Sequence, residues 1–184
     1  MGEIFLITGE FETGKTNLCL ELFQRAREAD FLVGGMISPA VFVGDQKTAI
    51  DVLDLKSGTR KRLAELSGHR QTSLETQRWS FFPEVVNWGN QVLKESVPCD
   101  LLIVDELGPL EFHRQEGWMN GFSSLDSGEF QLAFAVIRPS LVDEASARWN
   151  ISRIINLDDP ENDLSAGKDP LESLKPDRFH FPIN

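Results

Sequence analysis

The segment Gly9-Glu10-Phe11-Glu12-Thr13-Gly14-Lys15-Thr16 sets two glycines five residues apart and follows them with a lysine and a hydroxyl. That spacing, GxxxxGK[ST], suits one task, the gripping of a polyphosphate. Backbone amides of the turn and of the helix it opens converge on phosphate oxygens, and Lys15 neutralises charge on the outer phosphates. Thr16, at the first helical turn, offers a small oxygen ligand to a magnesium ion bridging those phosphates. The predicted nucleotide-binding stretch is Gly9, Glu10, Phe11, Glu12, Thr13, Gly14, Lys15, Thr16 and Asn17. Two of its members are unusual, because the carboxylates of Glu10 and Glu12 raise the negative potential a polyphosphate must enter. Their side chains are therefore expected to face solvent, and residue 12 must reach the loop conformation without a glycine's freedom.

About ninety residues later, Leu101-Leu102-Ile103-Val104 runs directly into Asp105-Glu106. An apolar strand delivering two acids at its carboxyl end fits the partner element of such a loop. Asp105 is the expected acceptor for magnesium-bound water, and Glu106 the base that orients and deprotonates an attacking water. Arg138 ends the run Phe130–Ile137. It is expected either to stabilise charge on the leaving phosphate or to pair with Glu106, Glu111 or Asp143. The predicted catalytic set is thus Lys15, Glu106 and Arg138, and the predicted metal ligands are Thr16 and Asp105.

These residues need elements to hold them. Ile4–Thr8 reads as a strand buried on both faces, and Lys15 to about Ala29 as an amphipathic helix with Leu18, Leu22, Ala26 and Ala29 on one side. Residues 31–66 carry β-rich stretches broken at Gly44-Asp45 and Ser57-Gly58, which predict two successive antiparallel hairpins inserted in the fold. Residues 67–79 are polar and predict a loop. Pro83 then opens a helix that ends before Pro98. Strand 101–104, a helical face at Trp118, Phe122 and Leu125, strand 130–137, a short helix over 139–149 and strand 151–157 follow. Such alternation predicts an α/β fold, a mostly parallel sheet flanked by helices with the ligand crevice at the carboxyl ends of its strands. The expected domain runs from 1 to 157. Residues 158–184, rich in Asp, Pro and Gly, predict an irregular tail of the same domain.

Composition narrows the partners. Lys and Arg number 18 against 29 Asp and Glu, a formal charge of −11 over 184 residues, so a polyanionic surface is disfavoured and no nucleic acid is expected. No stretch approaches the roughly 20 apolar residues of a membrane helix, and no export signal opens the chain. Cys19 and Cys99 lack metal-ligand spacing and fit a reducing, cytoplasmic setting. Lys47, Lys56, Arg60, Lys61, Arg62, Arg70 and Arg78 hold seven of the 18 basic residues within 47–78. They form either a lid reaching a triphosphate or simply solvated hairpin charge. Trp79, Phe81, Phe82 and Trp88 are assigned to packing. His69, His113 and His180 have no partner at metal spacing.

Together GEFETGKT, GGMISP with its following hairpin, and VDELGPLE at Val104–Glu111 resemble the small P-loop nucleoside-triphosphatase family, over roughly residues 3–157. The resemblance implies a RecA-like core and a magnesium-dependent phosphohydrolase releasing the terminal phosphate of several ribo- and deoxyribonucleoside triphosphates. It implies phosphate, metal and water roles for Lys15, Thr16, Asp105 and Glu106, and matches Glu111 to the family's second acid. The sequence departs from the family at Phe11 and Glu12, where proline and glycine are common, and Gly35-Met36-Ile37-Ser38 lacks the Thr-x-Glu-x-Arg of many members. The same loop and metal also serve a nucleotide or nucleoside kinase, or a nucleotide-gated module whose hairpins or tail engage a protein partner. A guanine-only enzyme is disfavoured, because Leu174-Lys175-Pro176-Asp177 lacks the asparagine of NKxD.

Overall fold

The computed structural model describes residues 2–67, 78–159 and 169–175. The strands built on continuous apolar runs lie at the centre of the sheet, where both faces are covered. These are β1 (Glu3–Thr8), β7 (Cys99–Leu107) and β8 (Phe130–Ile137), the last buried along its whole length. β2 (Val33–Ile37) joins β7 in parallel on one side, and β9 (Ile151–Asn156) joins β1 in parallel on the other. β4 (Gln46–Asp54), β5 (Arg60–Leu66) and β6 (Trp79–Phe81) extend the sheet beyond β2 with antiparallel pairing. The order is β6-β5-β4-β2-β7-β8-β1-β9, and β3 (Ala40–Val43) pairs with β4 off this path.

Helices cover both faces, as the alternation predicts. α1 (Lys15–Glu28) lays Cys19, Leu22 and Ala26 against Phe5, Ile7, Ile103 and Phe134. α2 (Pro83–Lys94), α4 (Met119–Ser127) and α5 (Val142–Arg148) bury Val86, Leu93, Phe122, Leu125 and Ala145 over Leu6, Leu102, Val104 and Ala133. Each such aliphatic or aromatic side chain contributes about 1.5–3 kcal/mol on burial. Trp79, Phe81, Phe82 and Trp88 pack against this second cluster, in keeping with their assignment to packing.

The structure corrects the sequence-based expectation at four places. Within residues 31–66 the two expected antiparallel hairpins are present from Ala40 onward, as β3–β4 turning at Gly44-Asp45 and β4–β5 turning near Ser57-Gly58. Val33–Ile37 is not part of them: β2 is a core strand, parallel to β7 on one side and antiparallel to β4 on the other. The cause lies in Val33-Gly34-Gly35-Met36-Ile37, all buried. Gly35 has φ +102°, and a Cβ there would lie 1.9 Å from the Ile103 carbonyl oxygen, so only glycine lets β2 approach β7. Residues 79–81 form β6 rather than loop, a segment too short to carry a periodic signal; residues 68–77, with His69 and Arg70, lie outside the described residues.

A six-residue helix, α3 (Pro109–Arg114), precedes α4, with Pro109 in its first turn. It is too short for the apolar spacing to reveal. Finally, 169–175 is docked rather than irregular. Pro170–Ser173 form a 3₁₀ turn, Leu171 and Leu174 pack on the α1 side of the core, and Asp169 pairs with Arg25. Residues 160–168 and 176–184, with His180 and Asp177, lie outside the described residues.

Candidate active site

Because β1, β8, β7 and β2 run parallel, the segments leaving them emerge at one edge of the sheet. The Gly9–Gly14 loop, Arg138, Asp105-Glu106 and Ser38 therefore share that edge. Only β8 separates the strand of the loop from the strand of the acids.

The loop turns into α1 through Gly14, which caps the helix in the left-handed region at φ 94°. Glu12 also sits there, at φ 63°, a conformation that costs an L-residue about 1–2 kcal/mol. Thr13 Oγ1 donates to the Glu10 carbonyl at 3.0 Å. Lys15 Nζ crosses the turn to donate to the carbonyls of Gly9 at 2.6 Å and Glu10 at 2.5 Å. Glu10, Phe11 and Glu12 face solvent, as the charge argument requires. Asn17, also exposed, lies in the first turn of α1. The Glu10 amide donates to Asp158, at 2.9 Å from Oδ2. Asp158 follows β9 and fastens the start of the loop, which its place near the end of the chain does not announce.

Asp105 is buried beside α1. Its Oδ2 accepts from the Ser38 amide at 3.0 Å, and its carbonyl accepts from Ser38 Oγ at 2.7 Å. The Thr16 hydroxyl lies near enough to its carboxyl group to lower the Asp105 pKa. Burial raises the Asp105 pKa to about 6, with the Glu106 charge adding to the rise; the Ser38 amide, Thr16 and Lys15 oppose it. Ser38 directly follows β2, so its role becomes visible only when β2 is known to neighbour β7.

Glu106 follows Asp105 directly and is half-buried. Arg138 Nε donates to Glu106 Oε1 at 2.7 Å, and the guanidinium lies 5.0 Å from the centroid of the exposed Phe11 ring. Of the two alternatives for Arg138, the ion pair with Glu106 is present. Glu111 is buried, with Oε2 accepting from the Gly108 amide at 2.8 Å and Oε1 from the Trp118 amide at 2.7 Å. It braces the segment 108–118. Burial pushes its pKa to about 7, against the pull of those two amides. His113 meets Glu144 at 3.1 Å, away from these groups.

Thr16 and Asp105 supply hard oxygen donors near one another at the helix start. Among the described residues no group of three or more His, Cys, Asp or Glu could hold a metal. Two protein oxygens suit magnesium, which takes its remaining ligands from phosphate and water; they would not make an all-protein cage.

A glycine-framed loop joining the first strand to the first helix, with acids ending a strand one place removed, defines a P-loop nucleotide-binding protein. The NTPase family model matches residues 4–120. The chain belongs to this family. It is similar to the nucleoside-triphosphatase THEP1 of Methanothermobacter thermautotrophicus, 34% identical over 120 residues, 60% of this chain and 63% of that protein. With THEP1 of Methanopyrus kandleri it shares 30% identity over 109 residues, 58% of each chain. These matches span less than two thirds of either relative's length.

Two solved structures share the fold. The solution structure of a human cancer-related nucleoside triphosphatase superposes with a TM-score of 0.64 at 20% identity, over 89% of this chain and 93% of that one. The crystal structure of THEP1 from the hyperthermophile Aquifex aeolicus gives 0.61 at 17% identity, over 94% and 99%.

Proposed function

We propose that this protein hydrolyses nucleoside triphosphates to diphosphate and phosphate with Mg²⁺, accepting several bases. The observation that carries the proposal is the convergence at one sheet edge of the Lys15 loop, Thr16 with the nearby Asp105, and the Glu106–Arg138 pair. Loop and α1 amides of residues 9–17 would bind the phosphate oxygens. The Lys15 ammonium, paired with no carboxylate among the described residues, would neutralise the outer phosphates. Thr16 and Asp105 would hold Mg²⁺, which would offset charge on the phosphates.

Arg138 occupies Oε1 of Glu106 and so orients the carboxylate, leaving Oε2 to accept a proton. In the proposed reaction a water oxygen bonds to the terminal phosphorus, its proton passes to Glu106 Oε2, and the bond from that phosphorus to the bridging oxygen breaks. Nucleoside diphosphate leaves with the electron pair. Acceptance of several bases is what the resemblance to the family implies. The two free, buried cysteines suit the reducing cytoplasm, where we place the protein.

Phosphate release measured across eight NTPs and dNTPs, with Mg²⁺ and with EDTA, tests the proposal. Magnesium-dependent release from most of them is expected. Release that stays negligible until a nucleoside or monophosphate is added would mark a kinase instead, and slow turnover raised only by a protein partner would mark a gated module.

A further inference from the structure

Six of the seven cations of residues 47–78 lie within the described residues, and they separate into two groups. Arg60 and Arg62 both bind Asp51, at 2.8 and 2.6 Å. Lys61 lies 4.3 Å from the Trp88 ring centroid, and Lys56 donates to the Glu95 carbonyl at 3.3 Å. Lys47 and Arg78 differ from these. Among the described residues neither side chain has a hydrogen bond or ion pair, yet the two pack on one ring: Lys47 Nζ lies 5.4 Å and Arg78 Cζ 5.3 Å from the Trp79 centroid.

Strand pairing shows where this cluster sits. β4 is antiparallel to β2, so its first residues, Gln46 and Lys47, lie toward the edge where β2 and β7 end. β5 turns back beside it, pairing Glu65 with Ala49, and β6 pairs Trp79 with Leu66. The Ser67 amide donates to the Arg78 carbonyl at 2.9 Å. Lys47, Arg78 and Trp79 therefore gather at the edge that holds the phosphate loop and the acids.

Charge gives the arrangement meaning. The protein has 29 acidic side chains against 18 basic ones, so two adjacent cations without an acid partner among the described residues are unexpected. Burial and the charge of Arg78 both lower the Lys47 pKa, while Glu12, Glu106 and Asp105 raise it. Lys47 thus feels the loop residue and both acids of β7 across the site while being repelled by its neighbour. A polyanion placed between would relieve the repulsion and replace it with charge-assisted hydrogen bonds.

We propose that Lys47 and Arg78, held against Trp79, form a second phosphate-binding arm that contacts the terminal phosphate of a nucleoside triphosphate seated in the loop. This rests on the hydrolase function proposed above and adds a selectivity to it. Glu106 and Asp105 stand where the terminal phosphate reacts, so the arm senses that group and loses its ligand when the group departs. The protein then holds triphosphate more tightly than diphosphate through residues 47 and 78.

Titration of the full chain with a non-hydrolysable ATP analogue and with ADP, both with Mg²⁺, tests the arm. Lys47→Met keeps the apolar stem on Trp79, and Arg78→Gln removes the second charge. Each is expected to weaken the analogue about tenfold, as loss of one charge-assisted hydrogen bond implies, with ADP affinity unchanged within about twofold. KM for ATP should rise more than kcat falls, and Lys47→Arg should recover most of the affinity.

Equal losses for both nucleotides, or none, would overturn the arm. Thermal unfolding establishes that each variant folds, and if one does not, the other variant and Lys47→Arg carry the comparison. Lys15→Ala, run alongside, separates the two proposals. If it still binds and hydrolyses ATP, the reaction does not take place at the Lys15 loop and the active-site assignment fails; if it does not while Lys47→Met and Arg78→Gln bind like the wild type, only the arm fails.

Discussion

Arg138 Nε donates to Glu106 Oε1 at 2.7 Å, and the two residues end adjacent parallel strands. The contact fixes one carboxylate oxygen and leaves the other for proton transfer. It also places a guanidinium beside the loop, against Phe11. Arg138→Ala is expected to lower kcat by about 10–1,000-fold, the range for loss of one preorganised donor to developing charge. Arg138→Lys should recover only part, because an ammonium lacks the planar fork. Steady-state phosphate release at saturating ATP measures both, and a kcat within threefold of wild type in Arg138→Ala would remove the role.

Glu106→Gln keeps the shape of the side chain and removes the base. Loss of about 10²–10⁴-fold in kcat is expected, with MgATP affinity retained within about threefold. Calorimetric binding together with single-turnover hydrolysis separates the two quantities. A variant that hydrolyses at the wild-type rate would exclude Glu106 as the proton acceptor.

Glu111 makes stability depend on pH. Its folded pKa is about 7 against an ordinary value of 4.5, so between those values the folded state holds a proton that the unfolded state has released. The contribution is complete below about pH 4.5 and is lost as pH rises through about 7, with an upper bound of about 3 kcal/mol at 1.36 kcal/mol per pKa unit. Urea unfolding from pH 5 to 8 should show stability falling with pH. In Glu111→Gln that fall should be smaller by about 1–3 kcal/mol. An identical slope in the two proteins would show that Glu111 titrates normally.

The glycines of β2 and of the loop should respond in opposite ways. Gly35→Ala drives a Cβ to within 1.9 Å of the Ile103 carbonyl oxygen at φ +102°, and is expected to destabilise the fold by about 2–4 kcal/mol through overpacking and strain. Gly14→Ala meets no heavy atom within 4 Å and should cost only about 1 kcal/mol. Its main effect should be weaker nucleotide binding. Chemical denaturation and ATP-analogue titration of both variants decide the contrast.

Local patterning was sufficient for the phosphate loop, the strand ending in Asp105-Glu106 and the helices over both faces. A continuous apolar run, a helical spacing and a glycine-framed turn each depend on residues close together in the chain. The solvent-facing Glu10 and Glu12 followed from charge alone. Spatial neighbourhood lay beyond that reach. Ser38 grips Asp105 because β2 lies beside β7, and Arg138 meets Glu106 because β8 follows β7 in the sheet. Asp158 reaches the Glu10 amide across 148 positions of sequence. The GGMI run joined the parallel core rather than a hairpin because two glycines permit a backbone approach that no periodicity encodes. Residue types and spacing thus determined which groups carry the chemistry. Strand order decided which of them meet, because pairing between distant strands depends on burial and register summed over the whole sheet rather than on any local run.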